Sequence, residues 1–182
     1  MSERLQSDFD KIVKTSKISN EEIQIKRGYL DKFIESGFPN RKQEDWKFLD
    51  ISQIIKKNIS KLSFFNDYSL TNKFDSTVFV DSLEHNKIVF VNGKIEKIDF
   101  SYEDQNKIEI NEEIEKNITF DSKNSLIDLN RAFTNKVLKI LVKKNYSLKK
   151  PLIIYHLINN KINSKNINLR LDFVLEQNSC LR

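Results

Sequence analysis

The chain has 182 residues, 38% hydrophobic and 31% charged. That length allows one or two domains and a core that removes about 70% of the unfolded surface from water. The formal charge of +5 comes mostly from Lys interspersed with acids rather than from a basic stripe, which argues against a nucleic-acid partner, and the single Cys180 excludes an internal disulfide framework or an all-cysteine zinc site.

The N-terminus, "MSERLQSDFDK", has no apolar signal core, and no later apolar run has the length of a membrane span. A cytoplasmic location with no membrane partner is expected. Leu5, Phe9, Ile12 and Val13 lie at i, i+4, i+7 and i+8, which predicts a helix over about 3–14. The next helix, about 20–36, carries both boundary signals. Ser19 and Glu22 have capping-box spacing, and Gly37 stands where a left-handed C-terminal cap is wanted. Its apolar stripe is Ile23, Leu30, Phe33 and Ile34, and Gly28 within it suggests a close packing contact.

Pro39 cannot continue that helix, and Asn40 can cap a new one over about 41–57. Arg41 can there reach Glu44 or Asp45. Further on, "TVFV" at 77–80 reads as a short strand. Two β-branched runs flank Asn92-Gly93, the dipeptide favoured in a type I′ turn, so a hairpin is predicted over about 87–98. Residues 101–124 are polar and read mostly as loop, and "NSLIDLNRAFTN" as a short helix. After it, "KVLKILVKK", "KPLIIYHLI" and "NINLRLDFVLEQ" read as strands. In the last, Ile167, Leu169, Leu171, Phe173 and Leu175 alternate with polar residues, as on a half-buried sheet. The chain stops soon after this strand, which suggests the N-terminal part of a longer protein.

No catalytic constellation emerges. His85 lies in a polar "EHNK" stretch and reads as solvated, and His156 reads as a core or edge residue of a strand. No HxH or HExxH pattern and no Gly-rich phosphate loop is present. Glu44-Asp45 and Glu112-Glu113 are adjacent acids that do not face each other on a helix. Cys180 follows a strand, and a lone thiol without a nearby His or cationic pocket is usually inert, so it reads as a packing residue.

One stretch stands apart. "GFPNRKQEDWKFLDI", residues 37–51, holds the only Trp, one of the two Pro and one of the three Gly. It resembles the signature near the N-terminus of the SufD family, at Gly37, Phe38, Pro39, Arg41, Lys42, Glu44, Trp46, Lys47 and Phe48. Phe48 stands where Tyr is more usual, and Leu49 where Thr is common. "KIVFVNGKI" and the segment from Leu129 to Asn160 also resemble the family. The resemblance implies a non-catalytic scaffold subunit of the SUF machinery for iron–sulfur cluster assembly, with SufB and SufC as partners. Catalysis of ATP hydrolysis would belong to SufC. The complete complex would handle an Fe–S cluster and ATP, with no cofactor expected on this portion. It further implies an α+β chain: a helical region with a small hairpin over 1–124, then over 125–182 a short helix and the first strands of a right-handed parallel β-helix. The family's cluster-site histidine and SufC contacts fall beyond residue 182, so no ligand is carried onto this chain. The signature residues, foremost Gly37, Pro39, Arg41, Lys42, Glu44, Trp46 and Lys47, are then structural or interaction positions. Trp46 reads as an anchor to the N-terminal core, or else as a partner contact. The rival reading is a basic nucleic-acid-binding or adaptor module unrelated to SUF.

Overall fold

The computed structural model describes residues 2–16, 18–49, 51–54, 57, 62–64, 78–113, 124–134, 136–159, 162 and 164–182. The chain divides into two units. The first comprises Met1–Asn66, Ile114–Asn135 and Ser164–Leu169, and the second Asp67–Glu113, Lys136–Asn163 and Arg170–Arg182.

The first unit is helical. Helix α1 (Ser2–Thr15) turns Leu5, Phe9 and Ile12 inward. Helix α2 (Asn20–Ser36) begins where Ser19 Oγ accepts the Glu22 N–H at 3.2 Å. It ends where the Gly37 N–H donates to the Phe33 carbonyl at 2.7 Å, with Gly37 at φ +69°. After it come a 3-10 turn (Glu44–Trp46), the short α3 (Ile51–Ile54) and α4 (Ser125–Phe133). Asn124 caps α4 through its side-chain oxygen, which accepts the Leu126 N–H at 3.0 Å. Leu5, Phe9, Ile12, Tyr29, Leu30, Phe33, Phe64, Leu129, Ala132 and Phe133 form one core. Each large side chain there contributes about 1.5–3 kcal/mol. Phe133 is its hub, edge-on to Phe9 and tilted against Phe64.

The single helix expected over 41–57 is replaced by the 3-10 turn and α3, with Asp50, Ile55 and Lys56 outside the described residues. Asn40 explains the first break. Its side-chain oxygen accepts the Lys42 N–H at 2.9 Å and its carbonyl accepts the Gln43 N–H. Those bonds hold a turn in the place of a first helical turn. Gly28 has no close neighbour: a Cβ there would meet nothing within 4 Å.

The second unit is built of strands. Strands β1 (Asn86–Val91) and β2 (Lys94–Asp99) form the hairpin, with Asn92 and Gly93 at φ +52° and +85° as a type I′ turn requires. Strand β5 (Leu152–Leu157) pairs parallel to β1 on its other side. The second sheet has β4 (Val137–Val142) between antiparallel β3 (Ile108–Glu113) and parallel β6 (Arg170–Leu175). The central strands carry the burial. Ile88, Val89, Phe90 and Val91 of β1 and Val137, Leu138, Ile140 and Val142 of β4 are all buried. β3 falls inside 101–124, read from sequence as mostly loop. Conversely, Val78–Val80 form no strand.

Among the described residues the expected β-helix is not found. The strands form two separate three-stranded mixed sheets, ordered β2-β1-β5 and β3-β4-β6, each containing an antiparallel pair. A stack of parallel coils has no place for those antiparallel partners. The fold is a small α+β arrangement. Within the second sheet the chain after β6 follows the chain after β4 at a fixed offset of 33 residues, from Val137 opposite Arg170 to Ser147 opposite Cys180. Asn145 and Asn178 occupy matching left-handed positions, and Asn178 Nδ2 donates to Asn145 Oδ1 at 3.1 Å.

Candidate functional site

The signature stretch leaves the core as it proceeds. Phe38 packs edge-on against Phe33, centroids 4.9 Å apart, and Pro39 is fully buried. These two and the Gly37 cap fix how the stretch departs from α2. Beyond them the chain surfaces. Arg41, Lys42, Glu44, Asp45 and Lys47 are exposed and Trp46 is half-buried. Phe48 is 92% exposed and Leu49 46%. The Lys47 ammonium lies 5.8 Å from the Phe48 ring centroid. Among the described residues Arg41 forms no ion pair with Glu44 or Asp45, because the Asn40 turn and the 3-10 geometry replace the helical spacing that would bring them together. Trp46 is not a member of the buried core.

The remaining candidates fall elsewhere. His85 is 3% exposed, with both ring nitrogens hydrogen-bonded, so it is not a solvated loop residue. His156 is exposed on β5 and stacks on the Phe90 ring, centroids 5.1 Å apart. Cys180 is exposed. Among the described residues no three or more His, Cys, Asp or Glu are grouped to hold a metal ion. No helix there is long and apolar enough to cross a membrane.

Lysines meet acids across the second unit: Lys143 with Glu109, Lys136 with Glu112, Lys139 with Glu113, Lys149 with Asp104 and Lys150 with Glu84. Among the described residues, these lysines are thus each set against an acid.

Two buried carboxylates have the most developed surroundings. Asp8 accepts the Phe64 N–H at 2.8 Å, the Ser63 hydroxyl at 3.2 Å and the Lys11 ammonium at 3.0 Å. Burial pushes its carboxyl up, but the Phe64 N–H, then Lys11 and Ser63, outweigh this and hold it below the usual range. Glu103 accepts four hydrogen bonds: Asn86 Nδ2 and the Lys150 N–H on one oxygen, the Tyr146 hydroxyl and the Lys149 N–H on the other. Burial again acts upward, and these donors bring the carboxyl net below its ordinary value. Burial first, and the Glu103 anion with it, raise the Tyr146 hydroxyl. Each Glu103 oxygen and the Tyr146 hydroxyl accepts a backbone N–H, which marks the cluster as a structural clamp.

A third polar site lies between α2 and α4. Lys26 donates to the Thr134 carbonyl and sits 3.6 Å from Glu22 Oε1, with both side chains buried. Arg131 stacks on the Tyr29 ring and donates to its hydroxyl at 3.3 Å. The sequence did hold a signal for Glu22 and Lys26. They stand at i and i+4 on the face that continues through Leu30 and Phe33. Asp8 likewise stands three after Leu5 and four before Ile12, on the apolar face of α1. For Glu103 no local pattern distinguishes it from a surface acid.

Comparison of the sequence with family models finds no match, and comparison with curated proteins finds none either.

Proposed function

We propose that this chain is a non-catalytic scaffold subunit of the SUF machinery for iron–sulfur cluster assembly, acting in the cytoplasm by association with SufB and SufC. ATP hydrolysis falls to SufC and cluster handling to the assembled complex. The sequence support is the signature stretch from Gly37 to Phe48. The structural observation that carries the reading is its exposed apolar end. Phe48 is 92% exposed beside Leu49 and Lys47, while Phe38 and Pro39 root the same stretch in the first unit. An aromatic held in solvent on a rooted turn suits a partner contact, since aromatics anchor interface hot spots.

The test is co-expression of the tagged chain with SufB and SufC, followed by affinity capture and size-exclusion chromatography. The wild-type chain should hold both. Phe48→Ser should weaken the association at least about tenfold, the scale of a modest hot spot, with its melting temperature unchanged. Failure of the wild-type chain to associate with either protein refutes the assignment. Association that is indifferent to Phe48→Ser moves the contact away from the signature.

A further inference from the structure

Ahead of β1, the segment Val78–Glu84 shows Val78, Val80 and Leu83 to solvent. It is fastened at three points to one residue of β5 and one of its own C-terminal neighbours. Phe79 meets the Tyr155 ring edge-on, centroids 4.8 Å apart. The Val80 N–H donates to the Tyr155 hydroxyl at 3.1 Å. His85 closes the arrangement, with Nδ1 2.6 Å from the Leu83 carbonyl oxygen and Nε2 2.8 Å from the Tyr155 oxygen.

These contacts fix the tautomer. A carbonyl oxygen only accepts, so Nδ1 carries the ring proton and Nε2 accepts the Tyr155 O–H. Donation therefore runs one way, from the Val80 N–H to Tyr155 and from Tyr155 to His85.

We infer that His85 is a proton-operated latch that holds the Val78–Glu84 strap against Tyr155, closed while the ring is neutral and released when it takes a second proton. Nδ1 is already occupied, so the added proton goes to Nε2. There it turns the acceptor of the Tyr155 hydroxyl into a second donor aimed at it. The hydroxyl hydrogen must swing away, in a site where the oxygen already accepts from Val80. The charge also enters a position that is 3% exposed.

Among the described residues, the charged groups around the latch are engaged elsewhere or exposed. Glu84, next in sequence, has its carboxylate engaged by Lys150 at 2.6 Å. From β1, Lys87 places its ammonium 5.3 Å from the Phe79 ring centroid, on the wrong sign for an imidazolium. Asp81 is exposed on the strap itself. On β5 the adjacent His156 is stacked on Phe90.

The experiment is amide exchange of the 182-residue chain, corrected for intrinsic exchange rates, at about pH 8 and about pH 5, the span over which histidine changes charge. Nitrogen NMR of His85 runs alongside. The neutral ring should be protonated at Nδ1. At the lower pH the Val80 amide should lose at least about tenfold in protection, the equivalent of one hydrogen bond, while the amides of β1 stay protected. Tyr155→Phe removes the hydroxyl and should leave Val80 weakly protected and indifferent to pH. The inference is overturned by a neutral ring protonated at Nε2, by a ring that stays neutral at the lower pH, or by unchanged Val80 protection once the ring is charged. A matching loss throughout β1, or an undiminished pH response in Tyr155→Phe, overturns it equally.

Discussion

The Tyr146 hydroxyl donates to Glu103 at 2.7 Å while accepting the Asp104 N–H at 2.9 Å, so one phenol oxygen joins two consecutive acidic residues of the turn after β2. Glu103 in turn takes the backbone N–H groups of Lys149 and Lys150 and the side chain of Asn86 at the start of β1. The clamp thus holds the chain before β5 against the start of β1, and the parallel register of β1 with β5 begins there, Asn86 opposite Leu152. Removing the carboxylate strands four donors at a 5% exposed position. Glu103→Ala should lower the unfolding free energy by about 3 kcal/mol, since a buried orphaned donor costs about 1–3 kcal/mol and neighbours relax in part. Tyr146→Phe leaves Glu103 three of its donors and should cost about half as much. Urea denaturation of the two variants checks the order.

Acid should act through the same carboxylate and through Asp8. Both are held below their ordinary values, because backbone and side-chain donors outweigh the upward push of burial. A carboxyl with a depressed folded value binds fewer protons folded than unfolded, so stability rises with pH over its titration. The contribution is complete above the ordinary carboxylate range of about 4. It is lost as pH falls through the lowered folded values. Melting temperature should therefore hold level from neutrality down to that range and drop steeply below it. Glu103→Gln should lower the plateau and flatten the drop. An acid limb as steep in Glu103→Gln as in the wild type would locate the sensitivity elsewhere.

How far the chain could be read beforehand depended on whether the deciding interaction was local. The α2 boundaries and the β1–β2 turn were legible, because Ser19, Gly37, Asn92 and Gly93 act on backbone within a few residues of themselves. Strand partners were not. The alternation of Leu171, Phe173 and Leu175 marks β6 as extended, yet Phe173 and Leu175 are 38% and 47% exposed, because β6 is the edge of its sheet. Alternation says which residues share a face and nothing about what covers it or which way the neighbour runs. That is why the β-helix expectation failed while the strands themselves were found. β3 was missed for a related reason. Its sequence, IEINEE, is acidic, and it is held by pairing with β4 and by Glu–Lys contacts such as Glu109 with Lys143. In the candidate site, the Gly37 cap was legible. The exposure of Phe48 was not, since it follows from the Asn40 turn ending the helical phase.

The two glycines flanking α2's second half should respond in opposite directions. Gly28 is helical and exposed, and a Cβ there meets nothing within 4 Å. Gly28→Ala should stabilise by about 0.5–1 kcal/mol through the unfolded chain's lost freedom. Gly37 sits at φ +69°, a conformation that resists a side chain even though the space beside it is open. Gly37→Ala should destabilise by about 1 kcal/mol. Thermal melts of the two variants separate backbone conformation from packing, because neither position offers a clash. A stabilised Gly37→Ala would mean that the cap relaxes out of the left-handed region.

The buried pair on α2 should be worth less than its members' removal suggests. Lys26 and Glu22 lie 3.6 Å apart with side chains 8% and 3% exposed. Both Glu22 oxygens are buried without a hydrogen-bond partner. Burying two charges costs several kcal/mol per ion, and their attraction returns it in full only when the remaining polar atoms are also satisfied. Lys26→Met leaves the Glu22 charge alone in the helix interface and should cost about 3–5 kcal/mol. Adding Glu22→Leu removes that orphan, so the double variant should be more stable than Lys26→Met alone. The Thr134 carbonyl loses its lysine donor in both, so that loss cancels in the comparison. Denaturant midpoints of wild type, both single variants and the double variant form the cycle. If the double variant is the least stable of the four, the ion pair is a net source of stability and the burial argument fails at this site.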